Sequence, residues 1–91
     1  MGAPAGYQVF WHAAAEQQLA AIWMAASERR EIAAAVNTCD QSLCQDPQSV
    51  GESRDGPYRI SIVRPLAFIF RVSESDRSVW VMRVRHVRHS D

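Results

Sequence analysis

Tyr58-Arg59-Ile60-Ser61-Ile62-Val63-Arg64-Pro65-Leu66-Ala67-Phe68-Ile69-Phe70-Arg71-Val72 is the stretch that decides how this chain folds. Two runs of β-branched and aromatic residues alternate with small or charged ones, and Arg64-Pro65 separates them by the length of a tight turn. A third run of the same kind, Ser78–Val87, follows the polar stretch Ser73-Glu74-Ser75-Asp76-Arg77. Three strands, Tyr58–Val63, Leu66–Val72 and Ser78–Val87, joined by short connections, predict an antiparallel meander. Strict alternation places Tyr58, Ile60, Ile62, Phe68, Phe70, Trp80, Met82 and Val84 on one face, apolar enough to be the core face. It places Arg59, Ser61, Val63, Ala67, Ile69, Arg71, Val79, Val81, Arg83 and Arg85 on the other.

Upstream the periodicity changes. Tyr7–Trp11 reads as a short strand, and Leu19, Ile22, Trp23 and Ala26 then recur at helical spacing, predicting a helix over Ala13–Ala26. Ser27 is placed to stop that helix and cap a second one, which carries Ile32, Val36, Cys39 and Leu43 on one stripe and Glu28 and Glu31 in its first turn. Pro47 ends it, with Asp46 as the boundary, and residues 47–57 form a polar loop. The expected fold class is α+β: an N-terminal strand, a two-helix hairpin, then a three-stranded antiparallel meander that receives the helices on one face.

Ninety-one residues, of which 47% are hydrophobic, support one domain over 1–91 and leave no room for a second core. Residues 1–6 are expected to be a flexible leader. They have neither a basic start nor an apolar stretch, and no run is long enough to span a bilayer, so a cytoplasmic protein without membrane attachment is the expectation. Cys39 and Cys44, five apart on a helix, point to different faces and are not expected to pair. Net charge is zero, but all ten basic residues are arginine and they are unevenly placed. Residues 1–53 carry two arginines against six carboxylates, and residues 54–91 carry eight against four. An acidic half followed by a basic half points to one of two things, a surface for an anionic partner or a solvated strand face.

The sequence has no phosphate-binding loop, dinucleotide fingerprint, nucleophile elbow or zinc-ligand spacing, so neither cofactor nor metal is expected. Chemistry, if present, belongs to Arg83-Val84-Arg85-His86-Val87-Arg88-His89. Arginine forks grip phosphates and a histidine near neutrality moves protons, so Arg83, His86 and His89 are the candidate catalytic groups of an RNA-cleaving site. The plainer reading of His86 is a histidine at the edge of the core, on the side of Trp80 and Met82. His12 reads as structural, and Trp11, Trp23 and Trp80 each fit an apolar stripe and are expected in the core. Arg59, Arg71, Arg83, Arg85 and Arg88 are the candidates for binding an anionic partner.

Leu19-x-x-Ile22-Trp23, Leu43-x-x-x-Pro47-x-x-x-Gly51, Tyr58-Arg59-Ile60, Ile69-Phe70-Arg71-Val72 and Val79-x-Val81-x-x-Val84-x-His86-x-Arg88, in that order, resemble the RelE/ParE superfamily of bacterial toxins. The resemblance spans Tyr7 to Asp91. It implies the toxin of a type II toxin–antitoxin module, neutralised by a cognate antitoxin whose partly disordered segment wraps it in a hetero-oligomer. Two activities are implied by the two branches. One is metal-independent cleavage of ribosome-bound mRNA, in which basic side chains activate the 2′-hydroxyl and stabilise the developing charge. The other is poisoning of DNA gyrase, with no recognised catalytic centre.

Arg59 matches a basic position of the cleaving branch, and Arg83, Arg85, His86, Arg88 and His89 fall where its members carry C-terminal arginine, histidine or tyrosine. Ala67 stands where an arginine is usual, Phe70 where a tyrosine is common, and Ser61 where a lysine is found. These departures shift the expectation towards gyrase, with mRNA cleavage as the alternative and a non-toxic antitoxin-binding homologue as a third reading.

Overall fold

The computed structural model describes residues 6–53 and 56–87. Strand β1 (Gln8–Trp11) leads into helix α1 (Ala13–Ala25) and helix α2 (Arg29–Gln45), a 3-10 turn (Pro47–Ser49), and strands β2 (Glu52–Ser53), β3 (Tyr58–Val63), β4 (Leu66–Ser73) and β5 (Ser78–His86). The expected α+β order is present, and the predicted meander is β3, β4 and β5. It is the middle of a larger object: β1 joins β5 in parallel and β2 joins the outer edge of β3, giving one five-stranded sheet in the order β1-β5-β4-β3-β2. Residues 1–5 of the expected leader, with Arg88 and His89, lie outside the described residues.

Helix α1 begins where His12 turns its ring back, Nδ1 accepting from Ala14 N–H at 3.2 Å. The second helix is not capped by Ser27. Glu28 occupies the N-cap position without a side-chain cap bond, because the helix starts one residue later than the serine would need. Arg29 serves the junction instead, its guanidinium donating to the Trp23 and Met24 carbonyls at the end of α1 (2.9 and 3.4 Å).

Both helices lie on one face of the sheet. The core between them joins Ala15 of α1 and Ile32, Ala35, Cys39 and Leu43 of α2 to Leu66, Phe68, Phe70, Val79, Val81 and Val84 of the sheet. Phe68 and Phe70 are fully buried, each contributing about 2–3 kcal/mol of transfer free energy, and Trp11 meets Phe68 edge-on at 6.1 Å. Burial pushes the Cys39 thiol up to about 12, so it is an inert core group, while Cys44 is free and exposed.

The face assignment departs from strict alternation in two places. The turn at Arg64-Pro65 pairs Val63 with Leu66, so odd-numbered residues of β3 share a face with even-numbered residues of β4. Ser61 and Val63 are therefore on the core side, and Tyr58, Ile60 and Ile62 are on the far side. On β5 the ladder runs His86–Leu66, Val84–Phe68 and Arg83–Ile69, then slips by one, so that Val81 faces Phe70 and Met82 has no partner. This bulge puts Val79 and Val81 in the core and Trp80 and Met82 on the far face. Of the residues predicted for the core face of the sheet, Phe68, Phe70 and Val84 are the ones the core keeps.

The loop between α2 and β3 is held from the core side. Arg59 is half-buried and donates Nε–H to the Val50 carbonyl at 3.1 Å, a terminal N–H to the Gly51 carbonyl at 3.1 Å and another to Ser53 Oγ at 3.2 Å. Gly51 sits at φ 69°, and a Cβ there would lie 2.0 Å from the Ile60 carbonyl oxygen. Substitution meets both left-handed strain and backbone overlap. Gly51→Ala is expected to cost about 2 kcal/mol or more in urea unfolding. Unchanged stability would show that this loop is not fastened to β3.

Candidate functional site on the open face of the sheet

The face turned away from the helices carries a polar cross-strand row, Gln8, Ser78 and Ser73, at one end and three rows beyond it. Phe10, Trp80, Arg71 and Tyr58 form the first, Arg83, Ile69, Ile60 and Glu52 the second, and Arg85, Ala67 and Ile62 the third. Met82, unpaired at the bulge, shares with Arg83 the lining of a recess of about 450 Å³ bounded also by His12, Ala14, Tyr58 and Ile69. Phe10 and Trp80 stack at 4.9 Å with their planes 23° apart. The floor is thus apolar and aromatic. Above it Arg71, Arg83 and Arg85 are exposed, with no hydrogen-bond or ion-pair acceptor among the described residues.

Three of the four strand arginines expected on one surface are therefore brought together, and Arg59 is not. Its register places it beneath the helices, where every nitrogen is engaged with the loop. Arg88 and His89 fall outside the described residues. His86 pairs across the sheet with Leu66, on the core side, so it faces away from Arg83 and also from Trp80 and Met82. Its Nε2 lies 3.1 Å from Glu28 Oε2, and with Ala21, Ile22, Ala25 and Ala26 it borders a separate recess beside α1.

Chemically, the open face offers planar cations over an apolar floor, an arrangement that grips phosphate or carboxylate groups attached to something flat or greasy. His12 contributes its ring edge to the recess, but its Nδ1 is already engaged as the cap of α1. That residue was legible as a structural histidine; its place at the mouth of the recess depends on how β1 pairs with β5. Among the described residues no group of three or more His, Cys, Asp or Glu gathers as a metal site would require.

A second surface lies on the helices. Trp11, Leu19, Trp23, Met24 and Val36 border an apolar groove of about 520 Å³ between α1, the end of β1 and α2. Trp11 packs against the core as expected, but Trp23 is 39% exposed and Met24 75%, and Trp80 belongs to the open face. Among the described residues no helix is long and apolar enough to cross a membrane.

The Glu28 carboxyl is held below its ordinary value of 4.5, first by a backbone N–H of its own residue and then by its hydrogen bond to His86. A depressed carboxyl adds stability above its unfolded value, and that contribution is lost as pH falls through the folded value. Thermal melts of the native chain should therefore fall on acidification below about pH 4.5, and the acid limb should be shallower in Glu28→Gln. Identical profiles would mean that neither the backbone N–H nor His86 holds the Glu28 carboxyl down in solution.

Neither the sequence families nor the curated proteins contain a match to this chain. Solved structures do match. A chain of the Mycobacterium tuberculosis RelBE2 toxin–antitoxin complex is 20% identical with a TM-score of 0.74, covering 94% of this chain and 97% of its own. A chain of the chromosomal ParDE toxin–antitoxin system of P. aeruginosa is 20% identical with a TM-score of 0.67, covering 90% and 97%. TrmO from P. aeruginosa shares the fold over 92% of this chain but only 35% of its own length, at 21% identity and a TM-score of 0.59.

Proposed function

We propose that this chain, which has the fold of RelE- and ParE-type structures, is the toxin of a toxin–antitoxin pair. The supporting observation is end-to-end agreement: nearly all of this chain overlays nearly all of a chain from each of two toxin–antitoxin systems. The chain's own surface fits the reading. The groove on the helices leaves Trp23 and Met24 in water, an apolar exposure that a protein partner would remove. The partner in this reading is a cognate antitoxin acting in the cytoplasm.

For the target we propose DNA gyrase over ribosome-bound mRNA. Cleavage requires a proton acceptor and a charge-stabilising cation on one side of the scissile phosphate. Here His86 and Arg83 belong to opposite faces of the sheet. Ser61 and Phe70, at two positions where the cleaving branch carries polar groups, are buried beneath the helices, and Ala67 is a small residue packed in the sheet. The surviving assets of the open face are cations and an apolar floor, which suit binding.

Expressed alone in bacteria, the chain should slow growth, and co-expression of the small acidic protein encoded beside it should restore growth. Normal growth at high soluble expression would move the protein to the non-toxic antitoxin-binding reading. Purified protein should inhibit supercoiling by gyrase or trap cleaved DNA while leaving ribosome-bound mRNA intact. Codon-register cuts that vanish in an Arg83→Ala control would reverse the choice of target.

The binding role of the arginines has its own check. Arg83→Ala/Arg85→Ala should melt as the native chain does, since both side chains are exposed, yet lose toxicity or antitoxin affinity. The native interaction should weaken with salt, because exposed charges are screened within about 8 Å at physiological ionic strength. Full toxicity and full affinity in the double variant would leave these arginines as a solvated face only.

A further inference from the structure

The sequence of α1 reads Ala13-Ala14-Ala15-Glu16-Gln17-Gln18-Leu19-Ala20-Ala21-Ile22-Trp23-Met24-Ala25, apolar around almost its whole circumference. Such a helix ordinarily belongs in an interior. Here only Ala15 is buried, and both flanks of α1 open onto apolar recesses. On the α2 side Glu16 borders the first of these recesses and Asp40 a further one between α1 and α2, and both carboxylates are exposed. Arg29 also lies there, its guanidinium 5.6 Å over the Trp23 ring and donating to the carbonyls of Trp23 and Met24.

The opposite side of the molecule has the same apolar character with the opposite charge. Arg71, Arg83 and Arg85 stand over the floor of the open face, and Glu52 is the carboxylate at the far end of its middle row. One copy therefore carries two apolar surfaces, back to back: on one the uncommitted charges are the carboxylates Glu16 and Asp40, and on the other they are guanidinium groups. A two-fold pairing of either surface with itself would set like charges against each other, which opposes association. Pairing one surface with the other matches charge and buries apolar area at the same time.

We propose that free copies of this chain associate head to tail, the arginine-bearing sheet face of one seated on the α1–α2 face of the next. The occupant of the helix groove in this association is a second copy. Because the two surfaces are different and lie on opposite sides, the contact does not close on itself, and copies add as concentration rises. Association also covers the arginines, so the chain masks its own cationic face when no other partner holds it. Nothing in this inference depends on the toxin reading, and the experiment measures assembly alone.

Sedimentation velocity of the purified full chain should show a mean mass that rises with concentration and falls as salt is added. Arg83→Glu/Arg85→Glu keeps the helix face and loses the sheet face; Glu16→Arg/Asp40→Arg does the reverse. Each variant alone should associate about tenfold more weakly or worse, and far-ultraviolet circular dichroism checks that each is folded. Mixed in equal amounts, the two variants should regain association, because the intact helix face of the first matches the intact sheet face of the second and the two charge-reversed faces match each other.

A native chain that stays monomeric at every concentration would overturn the proposal, as would a mixture that stays monomeric. Association of the native chain that strengthens with salt would also overturn it, by showing apolar contact without charge matching. That measurement needs no variant, so the proposal stays open to refutation even if a charge-reversed chain fails to fold.

Discussion

Met82 has no partner across the β4–β5 ladder, and much of the molecule's surface chemistry depends on that one unpaired residue. On its C-terminal side, Val84 and His86 share a face with Phe68 and Leu66. On its N-terminal side the parity is reversed, and Val81 and Val79 take the core positions opposite Phe70 and Val72. Without the bulge, Trp80 would be pressed towards the helices and Val79 and Val81 would be in water. With it, the small valines lie under α1 and the bulky Trp80 stacks on Phe10 outside. Val84, past the end of the β1 pairing, donates its N–H to Gln18 Oε1 at 2.8 Å, so the bulged strand is also tied to the helix above it.

The two-residue turn at Arg64-Pro65 has the same kind of effect on β3. Pairing Val63 with Leu66 sets the parity of the whole strand, and so decides what each arginine does. Arg59 is drawn to the core side, where its three donors fix the loop before β3, and it becomes a structural residue. Arg71, on β4, goes to the open side and stays uncommitted. Two arginines in similar alternating strands thus have opposite fates, and the difference lies in the register alone.

Element order was legible in the sequence because it rests on local signals. Alternation marked β3, β4 and β5 almost to the residue, helical spacing marked α1 and α2, and Pro47 marked the end of α2. Face assignment was not legible, because a bulge leaves no local signal: Val79-Trp80-Val81-Met82 alternates equally well whichever side is inward. Nor was the sheet's full width. Glu52-Ser53 is too short and too polar to read as a strand, and it exists because Arg59 and Gly51 hold it against Ile60. The cluster of arginines was visible in charge counts, but the separation of Arg59 and His86 from it follows only from pairing.

The consequence for function is that adjacency in sequence misleads near the end of β5. Arg83, Arg85 and His86 look like one catalytic run, yet the strand divides them: two arginines over the apolar floor, and the histidine bonded to Glu28 at the helix junction. A phosphate lying on the open face would meet guanidinium groups without meeting that imidazole. Among the described residues, Tyr58 and the edge of His12 are the titratable neighbours beside the recess, and His12 already spends Nδ1 on capping α1. Among the described residues, a face of guanidinium groups over an apolar floor is better suited to holding an anion than to moving a proton.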